Sequence, residues 1–278
     1  MTETIQILPQ RQQRVDARAM LSVRRRMGRS RIDRLFQEGA AKIRLPRISA
    51  DPLEAVLINT AGGLTGGDRI SWSVEVADGA AAVVTTQACE RVYRSSGGSA
   101  QATVSLTAGA DARLSWLPQE TILFDGSAFS RTISADLAVG ASALFVEAVL
   151  FGRLRMGEVL RRGLYRDSWR IRRDGRLVHA EELAIGPEVA AALEKAAVTG
   201  GRKAIATVLY LGDDAERFLA GARDVVGGDG GASFWSVGDS GKLLARLSAR
   251  DGYDLRKRLV PLIGLLNGTA GLPKTWSI

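Results

Sequence analysis

The stretch Ile58 to Ile70, INTAGGLTGGDRI, decides how the chain is read. Two Gly-Gly pairs are followed at once by Asp68 and Arg69. A phosphate loop requires G-x-x-x-x-G-K-[ST], and GGLTGGDR lacks both the lysine and the hydroxyl. A dinucleotide fingerprint must open a helix, whereas the RISWSVEV that follows alternates apolar and polar residues as a strand does. What remains is a strand, a glycine-rich turn and a second strand. Gly62, Gly63, Gly66 and Gly67 are read as the turn glycines that supply positive φ, with Asp68 placed by that turn.

The same alternation extends outward, from Ala55 to about Glu182. Ile70, Trp72, Val74 and Val76 form one set, Ala102, Val104 and Leu106 another, Leu114 and Trp116 a third. Turn signals punctuate them at Asp78-Gly79, Gly97-Gly98, Gly109, Asp125-Gly126, Gly140 and Asp174-Gly175. This pattern predicts an all-β sandwich, barrel or solenoid rather than βαβ units. No fixed-length repeat is legible, so the pattern alone does not choose among the three.

Helices are expected late. PEVAAALEKAA places Pro187 in a first helical turn. In DDAERFLAGARDVVGG, Asp213 and Glu216 have capping-box spacing and Gly227 supplies the stop. In DGYDLRKRLVPLIGLL, Leu255, Leu259, Leu262, Ile263 and Leu266 form a stripe, with Pro261 inside it. KLLARLSAR, between the last two, reads as a strand, and the closing GLPKTWSI as a docked tail.

The chain has 278 residues, 46% of them hydrophobic, enough to bury a large core. Its net charge is +8, and residues 1–50 carry 12 Lys and Arg against 4 Asp and Glu, so the excess lies wholly in that leading segment. A second basic stretch, residues 153–176, holds nine arginines against three acids. Neither shows lysine stripes with interleaved aromatics, so a basic nucleic-acid-binding β protein is only the alternative reading. No apolar run is long enough for a transmembrane helix and no apolar leader is visible. With Cys89 as the sole cysteine there is no internal disulfide framework. The expected location is the cytoplasm.

Catalytic chemistry is poorly supplied. His179 is the only histidine, and no G-x-S-x-G elbow exists to use it. A tight zinc or nickel site needs several His or Cys ligands, and the chain offers one of each. It does offer carboxylates beside turns: Asp68, Glu120, Asp125, Glu147 and Glu158. Oxygen donors of this kind suit brief passage of a borderline cation better than its storage.

The segments NTAGGLTGGD, TTQACERVYRS, LPQETILFDGSAFSR, FGRLRMGE and LPKTW, in that order, resemble the urease accessory protein UreD family, called UreH in some bacteria. The resemblance runs from about Met20 to the last residue. It departs from the family at Asn59-Thr60-Ala61-Gly62-Gly63, where relatives have two prolines, and at Cys89-Glu90, where many have a lysine. The resemblance implies a mainly β fold, with strands wound into a right-handed β-helix-like stack and a few C-terminal helices. It divides the chain into a basic arm, 1–19, and one UreD-like domain, 20–278, strand-rich over 20–185 and mixed over 186–278.

It further implies a maturation chaperone that is not an enzyme. Such a protein binds apo-urease and the partner UreF, which carries the GTPase UreG. It holds no cofactor tightly, while nickel in transit passes through an internal tunnel. No membrane or nucleic-acid partner is implied, and a homodimer within the accessory complex is left open. In that frame Asp68, Glu120, Asp125 and Glu147 are candidates to line the route. Arg153, Arg155 and Trp276 are candidates to face partners.

Overall fold

The alternation of Ile70, Trp72, Val74 and Val76 is realised in a strand whose apolar residues all point inward. The structure, a computed structural model, describes residues 14–46, 51–153, 156–238 and 240–276. Its strands are β1 (Asp16–Arg26), β2 (Arg29–Glu38), β3 (Ala41–Arg44), β4 (Leu53–Asn59), β5 (Arg69–Val76) and β6 (Ala81–Thr86). Then come β7 (Glu90–Val92), β8 (Ala100–Ala108), β9 (Arg113–Leu117), β10 (Thr121–Leu123), β11 (Ala128–Leu137) and β12 (Ser142–Phe151). The last are β13 (Leu164–Arg173), β14 (Arg176–Ile185), β15 (Ala204–Gly212), β16 (Gly230–Val237) and β17 (Ser240–Ala249).

Each pass of the chain leaves one strand in each of two facing sheets. In the first, β5, β8, β11 and β13 are parallel neighbours; in the second, β4, β6, β9 and β12 are. Parallel neighbours require a crossover, and here the crossover from each strand to the next runs through the opposite sheet. A short third column consists of Leu64, β7, β10 and the end of β12. Of the three architectures left open by the pattern, this is the solenoid-like stack, of about four turns. Antiparallel strands finish it: β1–β2 and β3–β4 at one end, β13–β14 and β15–β17–β16 at the other.

Two cores share the second sheet. Between the sheets lies one cluster that includes Trp72, Trp116, Phe129, Phe145 and Trp169. The third column adds the buried ladder Leu64, Val92, Leu123 and Phe151. On the far side of the second sheet, Leu144, Val146, Val208 and Leu243 pack under the helices. With both faces covered, β12 is a nearly continuous apolar run instead of an alternation.

The helices are α1 (Val189–Glu194), α2 (Leu219–Val226) and α3 (Gly252–Asn267). All five residues of the expected α3 stripe are buried, and Asp251 caps the helix by accepting from the Asp254 N–H at 2.8 Å. Gly227, with φ of 62°, ends α2. Two expectations fail. Pro187 precedes α1 and is not in its first turn. The capping box does not form, because α2 is preceded by a 3-10 turn after Asp214, whose carboxylate instead accepts from Tyr210 Oη at 2.6 Å and pairs with Arg217. Residues 1–13 of the basic arm lie outside the described residues, and Asp16 to Ala19 already belong to β1, parallel to β5. The folded chain thus begins ahead of Met20.

The opening turn is demanding for a reason the sequence does not display. A Cβ on Gly63 would lie 2.4 Å from the Tyr93 ring, and one on Gly66 would lie 2.0 Å from Ser95 Oγ. Gly66 has no positive φ. It is required by the close approach of the next pass of the stack.

Candidate functional site

The four candidate carboxylates separate into two pairs. Asp68 is buried, and its carboxylate accepts from the N–H groups of Val15 (2.8 Å) and Thr65 (2.7 Å). It closes the glycine turn and pins the entry to β1. Asp125 accepts from the N–H groups of Arg161 (2.8 Å) and Arg162 (3.1 Å) and pairs with Arg94. The Arg162 N–H above all holds its carboxyl below the ordinary range. Both residues organise turns. Glu120 and Glu147 lie on either side of β10.

Glu120 forms the floor of a cleft of about 720 Å³ between the flank of the stack and the first turn of α3. Cys89, Ile122, Leu150, Arg153, Lys203, Tyr253 and Arg256 are among its lining residues. Glu120 is 1% exposed and accepts from Arg256 Nε (2.7 Å), Arg256 Nη2 (2.8 Å) and the Cys89 thiol (3.3 Å). Burial pushes this carboxyl up, but the Arg256 bonds and charge outweigh it, and the net shift is downward. The Cys89 thiol is pushed up to about 12, by burial first and then by Glu120. It is therefore a protonated donor, not a thiolate. On the rim, Arg153 bonds Glu158 at 2.8 Å and stacks over the Phe124 ring.

On the inner side of β10 is a network of buried charge. Arg131 on β11, Glu147 on β12 and Asp167 on β13 have side chains only 5%, 3% and 6% exposed. Arg131 Nη1 donates to Glu147 Oε2, Nε to Asp167 Oδ1 at 3.0 Å and Nη2 to Asp167 Oδ2 at 2.5 Å. Tyr165 Oη accepts from Arg131 and donates to Asp167; Trp169 Nε1 donates to Asp167 and Trp116 Nε1 to Glu147. One guanidinium thus faces two carboxylates. Burial pushes Glu147 up, against the pull of Arg131, and the Asp167 charge pushes it further. Thr121 Oγ1 lies 3.4 Å from Arg131 Nη1, and Thr121 follows Glu120 directly in the chain. One residue therefore separates the cleft floor from the buried network.

Glu90, beside Thr121 in the third column, accepts from Asn59 Nδ2 and is pushed up to about 7 by burial. His179 is buried with Nε2 3.9 Å from Glu181 Oε2, and burial lowers it to about 4, so it is neutral. Among the described residues no three His, Cys, Asp or Glu side chains gather as a metal centre.

The partner-facing candidates fare differently. Arg153 is on the cleft rim, and Arg155 lies outside the described residues. Trp276 is 2% exposed, its Nε1 donating to the Leu117 carbonyl at 3.0 Å and its ring under Arg256. It belongs to the second core and offers no surface to a partner.

Arg131, Asp167 and Arg256 escaped the sequence reading. The first two had a signal: Arg131 takes an inward slot between Phe129 and Ile133, and Asp167 one between Tyr165 and Trp169. Arg256 had none, since its partner Glu120 is 136 residues away.

No helix of the described residues is long and apolar enough to cross a membrane. The family described as UreD urease accessory protein matches residues 15–277. The chain is 56% identical over 276 residues to the "Urease accessory protein UreD" of Mesorhizobium japonicum, covering 99% of both chains. It is 55% identical over 269 residues to "Urease accessory protein UreD 1" of Brucella anthropi, covering 95% of each. With "Urease accessory protein UreD 1" of Brucella abortus it shares 56% identity over 266 residues, covering 96% of this chain and 95% of the relative. A match of that extent takes in every strand and helix among the described residues: the chain belongs to the UreD family of urease accessory proteins.

Proposed function

We propose that the chain is a maturation chaperone for urease, a scaffold that binds the apoenzyme together with UreF and UreG and passes nickel toward the urease active site. The observation that carries this reading is the family match across residues 15–277. In this reading it works in the cytoplasm without catalysis of its own, and nickel is its cargo. The donor chemistry supports passage over storage. Glu120 and Glu147 offer oxygen, the cleft's single thiol stays protonated, and among the described residues no cluster of His, Cys, Asp and Glu that would retain nickel is assembled.

In this reading the route runs past Glu120 at the cleft floor and Glu147 in the interior, with Thr121 of β10 between them. Asp68 and Asp125 serve it indirectly, by fixing the turns. The cleft beside α3 is the docking place of the nickel-bearing partner, with Arg153 on its rim steering an acidic surface.

The test is co-expression of urease with its accessory proteins and either the wild-type chain or Glu147→Gln. The isosteric variant is expected to be captured with apo-urease as well as the wild type and to leave urease with several-fold less nickel. Full nickel content with both Glu147→Gln and Glu120→Gln would remove these residues from the route. Failure of the wild-type chain to be captured with apo-urease would remove the scaffold.

A further inference from the structure

The excess positive charge of residues 1–50 has a place in the fold that nickel passage leaves unused. Residues 14–38 hold eight arginines and no lysine, against Asp16, Asp33 and Glu38. β1 and β2 form a hairpin at the end of the first sheet, and β2 pairs with no strand but β1. β1 runs three residues past Val23, its last partner on β5, so the tip extends about 10 Å beyond that pairing.

The hairpin is built against its own stability. Its register sets Arg24 opposite Arg31 and Arg26 opposite Arg29, and like charges facing across strands are destabilising. Arg24 is paired by Asp33 and Arg25 by Asp51, but Arg26, Arg31 and Arg34 have no ion-pair partner among the described residues. Only Met27 and Gly28 connect the strands, and both have positive φ, 49° and 76°. Asn, Asp or Gly is the usual residue there. Met27 is instead apolar, and it is fully exposed. Further along the hairpin Met20 and Phe36, which are register partners, are exposed as well. Arginine, methionine and phenylalanine without lysine is the composition of a protein interface. The carboxylates of Glu38, Asp33 and Asp51 among the arginines disfavour a phosphate backbone. One methionine at a tip is too little apolar area for a membrane surface.

We propose that this hairpin is a docking prong for a partner protein whose surface is acidic and holds a socket for one apolar side chain. Met27 enters the socket, and Arg26, Arg31 and Arg34 meet carboxylates around it. On the scaffold reading, on which this assignment rests for the partner's identity alone, that surface belongs to the apoenzyme. Ser30 and Arg31 lie beside Thr269 and Ala270, just past the last turn of α3, whereas the cleft lies at its first turn. The 16-residue helix therefore sets the two sites about 24 Å apart, room for both partners at once.

The test is the binding kinetics of the full-length chain with purified apo-urease over a range of sodium chloride. Arg26→Glu with Arg31→Glu turns both like-charge pairs into opposite-charge pairs, and Met27→Asn suits the turn better. Both variants are therefore expected to melt at or above wild type. The charge reversal is nevertheless expected to slow association about tenfold or more at low salt and to flatten its salt dependence. Met27→Asn is expected to speed dissociation several-fold. Wild-type association by the reversal, or wild-type dissociation by Met27→Asn, would overturn the prong. So would loss of duplex DNA binding in the reversal with apo-urease binding intact, which would give the hairpin to nucleic acid. Lack of any binding by the wild-type chain would instead remove the scaffold reading, and the prong with it.

Discussion

At the residue scale, two acidic groups in neighbouring passes of the stack carry opposite signs of shift, and the cause is the partner each has. Glu120 has a bidentate arginine and is held down; burial pushes Glu90 up to about 7 from 4.5, against the weaker pull of the Asn59 amide and of Arg91. Between those two values the folded chain keeps the Glu90 proton that the unfolded chain has released. Stability attributable to Glu90 must therefore fall as pH rises from about 4.5 to 7 and stay level above. Glu90→Gln removes this dependence. Relative to the variant, wild type is expected to lose about 1–3 kcal/mol between pH 5 and pH 8, read from urea midpoints. An offset between the two chains that is the same at both pH values would contradict it. The raised group Glu147 is common to both and cancels.

At the element scale, α3 is joined to the stack by more than its apolar stripe. Arg256 reaches across the cleft to Glu120 and Gln119, and Asn267 accepts from Ser115 Oγ at 2.7 Å. Arg256→Ala leaves Glu120 buried without its cation and is expected to cost about 2–4 kcal/mol, toward the lower part of the range for broken buried pairs because the cleft admits water. Adding Glu120→Gln should restore a good part of that loss. Simple additivity of the two losses in denaturant titrations would show that the pair does not couple. The α3 stripe was legible because its period is local. The capping box at Asp213 was not, because a preceding Tyr210 hydroxyl competes for the next carboxylate, Asp214, and a 3-10 turn takes the place of the first helical turn.

The scale of the whole molecule explains why the stack could not be chosen from sequence pattern alone. Four side-chain contacts between successive passes, Asn59 with Glu90, Cys89 with Glu120, Arg94 with Asp125 and Trp116 with Glu147, are each 31 residues apart, while strand partners are 29 apart at Ala100 with Phe129 and 36 apart at Ala128 with Leu164. Yet every rung pairs different chemistry, so the repeat is one of geometry and leaves no self-similar sequence. Strand content and the inward residues were readable from alternation, since that depends on neighbours two apart. The parallel register, the glycines forced by the next pass at Gly63 and Gly66, and the meeting of Arg131 with Glu147 and Asp167 depend on the stacking itself. What alternation did offer, unused, was charge in apolar slots at positions 131 and 167.

Whether this molecule serves urease maturation is read from the nickel content of urease. Urease subunits and the remaining accessory proteins are produced with and without this chain, and nickel per active site and activity are measured on the purified enzyme. Urease made without the chain is expected to be nickel-poor and inactive, and re-expression is expected to restore nickel and activity. Fully loaded, active urease without the chain would contradict it.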